Sequence, residues 1–442
     1  MLKQFLFIVF IFLSCVVLWA DEDQFNTERL PIGNSKTKYD FCAVKLNKIF
    51  DTNTDDEISL DQLIERLSQY RIVMLGESHT SDYHHIMQIN IIKGLVETCS
   101  SVCLALEMFN PSQNQVLEQY ISGKLTEEEF LDQSNYFNTW GHNYRYYKPI
   151  FDYVREKKIK MFGINIEHDY ASKIGRGGIE SLSPEEQKAI PEIDTTDVEH
   201  RFYIKAVMEG IDALSRAQFS NIYAAQCLWD AAMGEGAIKV AQENPESIVI
   251  VLVGSGHVAY NLGIGKIIKK RSDLSFSAIL AIDVPDTMKE SVMMKVKKSL
   301  KKQKKEKKVD QPETNKEKKM PPMAMMHAAG AMDTTPYKII IKSLADFLWG
   351  VPEEEHEKYP SFGFSVEEKD ERGFKVKRVI PETIAEEQGI QTGDIILAVD
   401  GKTFPDMAQL KKYLSFKNWG EDIAFKILRG DKEVKIKFKI ED

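Results

Sequence analysis

Four short apolar runs recur between residues 70 and 260, and each ends in polar chemistry. In RIVMLGESHTSDYHHIMQ (71–88), Ile72, Val73, Met74 and Leu75 are bounded by Gly76 and followed by Glu77, Ser78 and His79. Their β-branched content and short length predict a buried strand rather than a helix. From about Tyr83 the spacing of Ile86, Ile89, Ile92 and Leu95 follows the helical period, which puts His84, His85 and Gln88 in the strand-to-helix turn and the first helical turn. SVCLALEMF (101–109) carries Glu107 at its end, and KMFGINIEHD (160–169) finishes with Asn165, Glu167, His168 and Asp169. SIVIVLVGSGHVAY (247–260) is nearly continuous in Val and Ile, as a strand buried on both faces is, before Gly254-Ser255-Gly256-His257. Helical spacing over 113–121, 144–157 and within 196–243 separates these runs. Strands alternating with helices predict an α/β fold with a largely parallel sheet flanked by helices.

In a parallel sheet every strand ends on the same edge, where ligands of open α/β folds bind. That edge collects Glu77, His79, Glu107, Asn165, Glu167, His168 and His257. Imidazoles beside carboxylates suit general acid and base work near neutral pH, with Glu77, His79, Glu107 and His257 as the catalytic candidates. They equally suit a divalent metal ion held by His79, His257 and Glu77. The glycines of GSG lack a phosphate loop's lysine and a full dinucleotide fingerprint, no G-x-S-x-G elbow surrounds Ser78 or Ser255, and His84-His85 is not H-E-x-x-H.

The rest of the chain changes the picture around this core. Residues 1–20 have one lysine and an apolar run from Phe5 to Trp19, which predicts a signal peptide and export to the periplasm or cell envelope; Cys15 leaves a lipid anchor as an alternative. Residues 21–59 are expected as an N-terminal extension. Within it DTNTDDEISLDQLIERL lacks the glycine and final glutamate of a calcium loop, and reads as a helix capped by Asp55 and Asp56. Export makes two disulfides among Cys42, Cys99, Cys103 and Cys227 conceivable, in three possible connectivities that the spacing does not decide, and buried or structural cysteines are the simpler expectation. The chain has 442 residues and a formal net charge of −9, yet 289–319 is dense in lysine. That tract, with MPPMAMMHAAGAM (320–332), predicts a basic, Met-rich linker over 286–336. Its charge suits anionic lipid headgroups, and export argues against nucleic acid. Methionines beside His327 suit a soft metal or, more simply, a partner contact. A lead-in helix and a second domain are expected over 337–442.

GESHTSDYHHIMQ, LEMF followed by Gln113 to Gln115, NYRYYKPIFDY, QCLWDAAM and VGSGHVAYNLGIG follow in an order and spacing that resembles the ChaN-like haem-binding lipoprotein family, over about residues 60–285. That family is similar to the Tiki, TraB and erythromycin esterase group, whose Glu- and His-bearing strand ends serve hydrolysis, with a metal in some members. The resemblance implies haem as cofactor, a role in haem or iron uptake, and an iron ligand among Tyr144, Tyr147, Tyr260 and His85. SFGFSV, AEEQGIQTGDIILAVDGKTF and the alternating DIAFKILRG and EVKIKFKI resemble a bacterial PDZ domain, mostly β with two helices. This implies that Phe362, Gly363 and Phe364 receive a partner's C-terminal peptide, which adds to the sheet as a strand. Three functions follow as expectations: haem or iron binding with a peptide or protein partner; a metal-dependent hydrolase built on the Glu/His edge; and an envelope scaffold with a vestigial site. A homodimer is left open.

Overall fold

The computed structural model describes residues 26–208, 214–285 and 335–441, apart from 368 and 370. The signal peptide, Cys15, the lysine-rich tract and the Met-rich segment with His327 lie outside the described residues.

Fifteen strands are described: β1 (Phe41–Lys45), β2 (Ile49–Asp51), β3 (Asp56–Ile58), β4 (Ile72–Glu77), β5 (Val102–Leu106), β6 (Lys160–Gly163), β7 (Ile248–Gly254), β8 (Phe276–Val284), β9 (Tyr337–Ile341), β10 (Phe347–Pro352), β11 (Phe364–Val366), β12 (Phe374–Val379), β13 (Ile395–Val399), β14 (Asp422–Arg429) and β15 (Lys432–Lys439). An eight-stranded sheet has the order β3-β2-β10-β8-β4-β7-β5-β6. Its six strands from β10 to β6 run parallel, and β2 and β3 extend it antiparallel. The expected α/β architecture is thus what the structure shows. β4 and β7 are buried along their whole length because helices cover both faces, which is why their sequences show no alternation. The helix Asp82–Thr98, N-capped by Ser81, packs on one face, and the helix Arg216–Glu243 packs on the other, over β7 and β5. The 144–157 segment is helical as expected (Tyr144–Lys157).

Three expectations are corrected. The segment 337–352, read as a lead-in helix, forms β9 and β10. β9 pairs with β1, and β10 is inserted into the main sheet between β2 and β8. Ile339–Ile341 and the run Phe347–Val351 are each too short for a buried helix; pairing with β1 settles the first as a strand, and burial on the edge of β8 settles the second. The α/β unit therefore draws on residues on both sides of the 286–334 segment. Residues 41–58, taken as an extension, are likewise sheet strands, and the helix that follows (Leu60–Leu67) is capped by Ser59 with Gln62 in a capping box, not by Asp55 or Asp56. Asp55 instead takes φ +68° in the turn between β2 and β3. Cys42, Cys99, Cys103 and Cys227 are free thiols.

The second sheet, β11-β12-β13-β14-β15, is antiparallel throughout, with the helices Ile384–Glu387 and Met407–Ser415 beside it. It docks on the α/β domain through the 407–415 helix. Lys412 pairs with Asp132 at 2.9 Å, and Asn143 donates to the Ser415 carbonyl at 2.8 Å. Arg145 donates to the Lys417 carbonyl at 2.7 Å while its guanidinium lies 3.8 Å over the Tyr359 ring.

Candidate functional site

The parallel register sets Glu77, the last residue of β4, opposite Gly254, the last of β7. Glu107 follows β5 on the other side of β7, and its Oε2 accepts from the Gly254 amide at 2.6 Å. Strand ends on either side of β7 thus deliver two buried carboxylates, each with an imidazole. His79 Nδ1 lies 2.6 Å from Glu77 Oε1, which also accepts from the Tyr147 hydroxyl at 3.1 Å. His257 Nε2 lies 3.2 Å from Glu107 Oε1, and its Nδ1 lies 2.6 Å from Asp230 Oδ1.

The electrostatics follow from this pairing. Burial alone would raise the Glu77 carboxyl, but His79, with His85 and His84 behind it, holds it down at about 2. Burial likewise opposes charge on His257, yet Glu107 and Asp230 on its two sides push it up to about 10. His257 is therefore an imidazolium with both N–H groups engaged. His79 is raised too, against its burial, by Glu77. Only its Nδ1 is taken: Nε2 faces Gly254, where an added Cβ would lie 3.2 Å from it. A carboxylate that orients one ring nitrogen and leaves the other facing open space is the arrangement of a general acid–base group.

That space is a cavity of about 550 Å³ on the carboxyl edge of the sheet. Glu77, His79, Gly254 and His257 form its floor, and Ile204, Val207, Met208, Ile222 and Trp229 from two helices form an apolar wall. His168, exposed at the start of the His168–Gly177 helix, stands at its rim. A second cavity of about 290 Å³ shares His79, His168, Trp229 and His257 and adds Glu107 and Trp140.

The structure brings Glu77, His79, Glu107 and His257 together at one floor. The metal set of His79, His257 and Glu77 is not assembled as one: among the described residues no group of three or more His, Cys, Asp or Glu side chains is placed to hold an ion. A fully engaged His257 has no lone pair to offer. The haem-ligand candidates Tyr144, Tyr147, Tyr260 and His85 are all buried in the fold. Tyr144 and Tyr147 are fully buried, and burial holds both phenols well above their usual range. Tyr144 packs among aromatic rings, with Tyr136 at 5.4 Å and Phe151 at 5.5 Å. Tyr260 ties down the N-terminal segment, donating to the Thr27 carbonyl at 2.6 Å. His85 is 3% exposed and bound to Gln88 at 3.1 Å. None of the four presents a ligand atom to either cavity. His84 is structural: its Nδ1 accepts from the Ser78 amide at 2.9 Å and its Nε2 meets Asp283 at 3.0 Å.

Asp230, Trp229 and His142 escaped the sequence reading as site residues. Asp230 and Trp229 sit mid-helix, where only the fold reveals that they face His257; a buried aspartate inside QCLWDAAM was the available signal. The His142 ring packs tilted against the His79 ring, 4.4 Å between centroids, and burial, with His79 beside it, lowers it to about 4.

Residues 63–268 match the family described as haem-binding uptake, Tiki superfamily, ChaN, and residues 360–440 match the PDZ domain family. The chain thus joins an α/β domain of the ChaN type within the Tiki superfamily to a C-terminal PDZ domain. The protein named “Putative serine protease HhoA” from Synechocystis sp. (strain ATCC 27184 / PCC 6803 / Kazusa) is 34% identical over 83 residues, which are 19% of this chain and 21% of that protein. The chain accordingly spans about a fifth of that relative's length. Among solved structures, ChaN of Campylobacter jejuni with cofacially bound haem is similar over 53% of this chain and 90% of its own, at 20% identity and a TM-score of 0.44. Erythromycin esterase EreC in its open conformation is similar over 56% of this chain and 78% of its own, at 14% identity and a TM-score of 0.35.

Proposed function

We propose that this chain is an exported haem-binding protein of the cell envelope that takes part in haem or iron uptake and is held to a protein partner through its PDZ domain. The 550 Å³ cavity carries the reading for this chain, alongside the match of residues 63–268 to a haem-binding family. A porphyrin needs an apolar face, an edge open to solvent and an iron ligand. The wall of Ile204, Val207, Met208 and Trp229 supplies the first, and the residues present fit the group. His168 is the ligand this reading selects, because its ring stands at the rim and is exposed, unlike the buried tyrosines. Bound there, haem would supply a redox-active iron. The chain's own residues would cover one porphyrin face and set an imidazolium and two carboxylates beneath it. Titrating haemin into the full chain while following Soret absorbance tests this. Saturable binding weakened at least about tenfold in His168→Ala is expected, as the residue that would hold the iron is lost. Absence of saturable binding would end the haem reading.

A second reading, hydrolysis of a small ligand, is favoured by the Glu77–His79 pair. His79 Nε2 takes a proton from a water in the cavity, Glu77 holds the imidazolium so formed, and the His257 cation beside Gly254 stabilises negative charge developing on the substrate. A screen of ester and lactone substrates with metal ions added and withheld tests it. Turnover lowered about 10³-fold in His79→Ala, with the fold intact, is the expected result; equal turnover in the variant defeats it.

A further inference from the structure

The carboxylate-binding loop of the PDZ domain does not face solvent alone. A cavity of about 440 Å³ is lined on one side by Phe362, Gly363, Phe364, Leu410 and Leu414, and on the other by Thr80, His142 and Tyr146 of the α/β domain. The PDZ side has the features of a groove for an extended chain. β11 is an edge strand with one side unpaired, and Gly363 takes φ +74° with its missing Cβ directed at Thr383 Oγ1, 2.2 Å away, so no other residue fits that loop. The facing helix Met407–Ser415 presents Leu410 and Leu414. The far end is fixed by the other domain. Asn143 bonds the end of that helix at Ser415, and the Tyr359 amide donates to the Tyr146 hydroxyl at 3.4 Å.

We propose that this groove is a two-domain peptide site. An extended C-terminal peptide with an apolar last residue adds to β11, buries that side chain against Phe362, Leu410 and Leu414, and places its carboxylate between the Gly363 and Phe364 amides and the His142 ring. One ligand then touches both domains. This rests on the reading of the PDZ domain as a receptor for peptide C-termini and goes beyond it. The His142 imidazole is suited to a carboxylate, while Phe362, Leu410 and Leu414 supply an apolar pocket for the last side chain. The charged groups at that end are few: Lys411 lines the groove, and Glu357, which burial pushes toward its protonated form, is hydrogen-bonded to Thr80. His142 in turn packs tilted against His79 at 4.4 Å, so the peptide carboxylate sits one ring away from the Glu77–His79 pair.

The test uses the full chain and fluorescein-labelled hexapeptides ending in Val, Leu, Ile or Phe, each as free acid and as C-terminal amide, followed by fluorescence anisotropy. At least one free acid is expected to bind, its amide about tenfold more weakly, and His142→Ala to weaken the acid by about tenfold, as loss of one charge-assisted hydrogen bond does. His142→Gln, which keeps a donor, should recover part of the loss, and the peptide should move the His79 and His142 ring signals in histidine-labelled NMR spectra. Binding that is unchanged in His142→Ala, with both ring signals unmoved, overturns the two-domain site and leaves the PDZ reading standing. No binding by any peptide to the wild-type chain overturns both.

Discussion

His257 is held between two buried carboxylates; its side chain is 12% exposed, and those of Glu107 and Asp230 are 6% and 3% exposed. Such a cluster survives only if every charge is answered. Replacing Asp230 by Asn removes half of the answer while keeping the shape. It should cost about 3 kcal/mol of stability, the usual penalty for breaking a buried pair. The pH dependence has a definite sign. An imidazole raised from 6.5 to about 10 contributes stability that is complete below the ordinary value and lost as pH rises through about 10. Glu77, lowered from 4.5 to about 2, contributes above its ordinary value and loses that contribution as pH falls toward 2. Thermal melts across pH should therefore be highest between roughly pH 5 and 7, and in Asp230→Asn the alkaline decline, which starts at the same ordinary value, should be smaller and end at lower pH. Equal alkaline limbs in the two proteins would contradict the ion-pair assignment. Glu77, Glu107, His79 and His257 stand out in the sequence because each follows an apolar run. Asp230 does not, since a mid-helix residue gains meaning only when the helix is laid over β7.

At the scale of elements, β10 shows where periodicity runs out. A short buried run such as FLWGV suits a strand or one turn of a core helix equally well, and what decides is the free edge of β8, nearly 70 residues earlier in the chain. β4, β5 and β7 were legible because Val and Ile ran on without alternation between helical segments; β1 to β3 were not, being only three to five residues long and interrupted by turns. Gly350 records the insertion of β10. A Cβ there would lie 2.1 Å from the Lys45 carbonyl oxygen, a backbone atom that cannot swing away. Gly350→Ala should thus destabilise the α/β domain by about 3 kcal/mol, the upper range for forcing volume into a packed site, even though it lies far from His79 and His257. Urea unfolding followed by tryptophan fluorescence would measure it. A shift no larger than that of an exposed Gly→Ala change would mean that β10 does not sit in the sheet.

The molecule as a whole is two domains whose order along the chain is not their order in space. The α/β unit begins before β1, leaves at Pro285 and returns at Thr335 to complete its sheet before the PDZ domain starts. A cut at Pro285, where composition places a boundary, would remove β9 and β10. It would expose six paired positions along β8, from Ile279 to Val284, and strip β2 of its only link to the parallel strands. An open edge of this length, flanked by Ile279 and Leu280, is a template for association. It would also remove the ring of Tyr359 from Arg145 and so unseat the wall that carries His142. The fragment 21–285 should therefore melt at least roughly 10 °C below the full chain and elute as aggregates in size-exclusion chromatography, whereas a fragment ending after residue 356 should remain monodisperse without its PDZ domain. A monodisperse 21–285 fragment with an undiminished melting temperature would show that β9 and β10 are dispensable. If the fragment aggregates, any haem or substrate assay run on it reports an exposed sheet edge rather than the cavity above Glu77 and His79, so both functional readings have to be tested on a chain that retains β10.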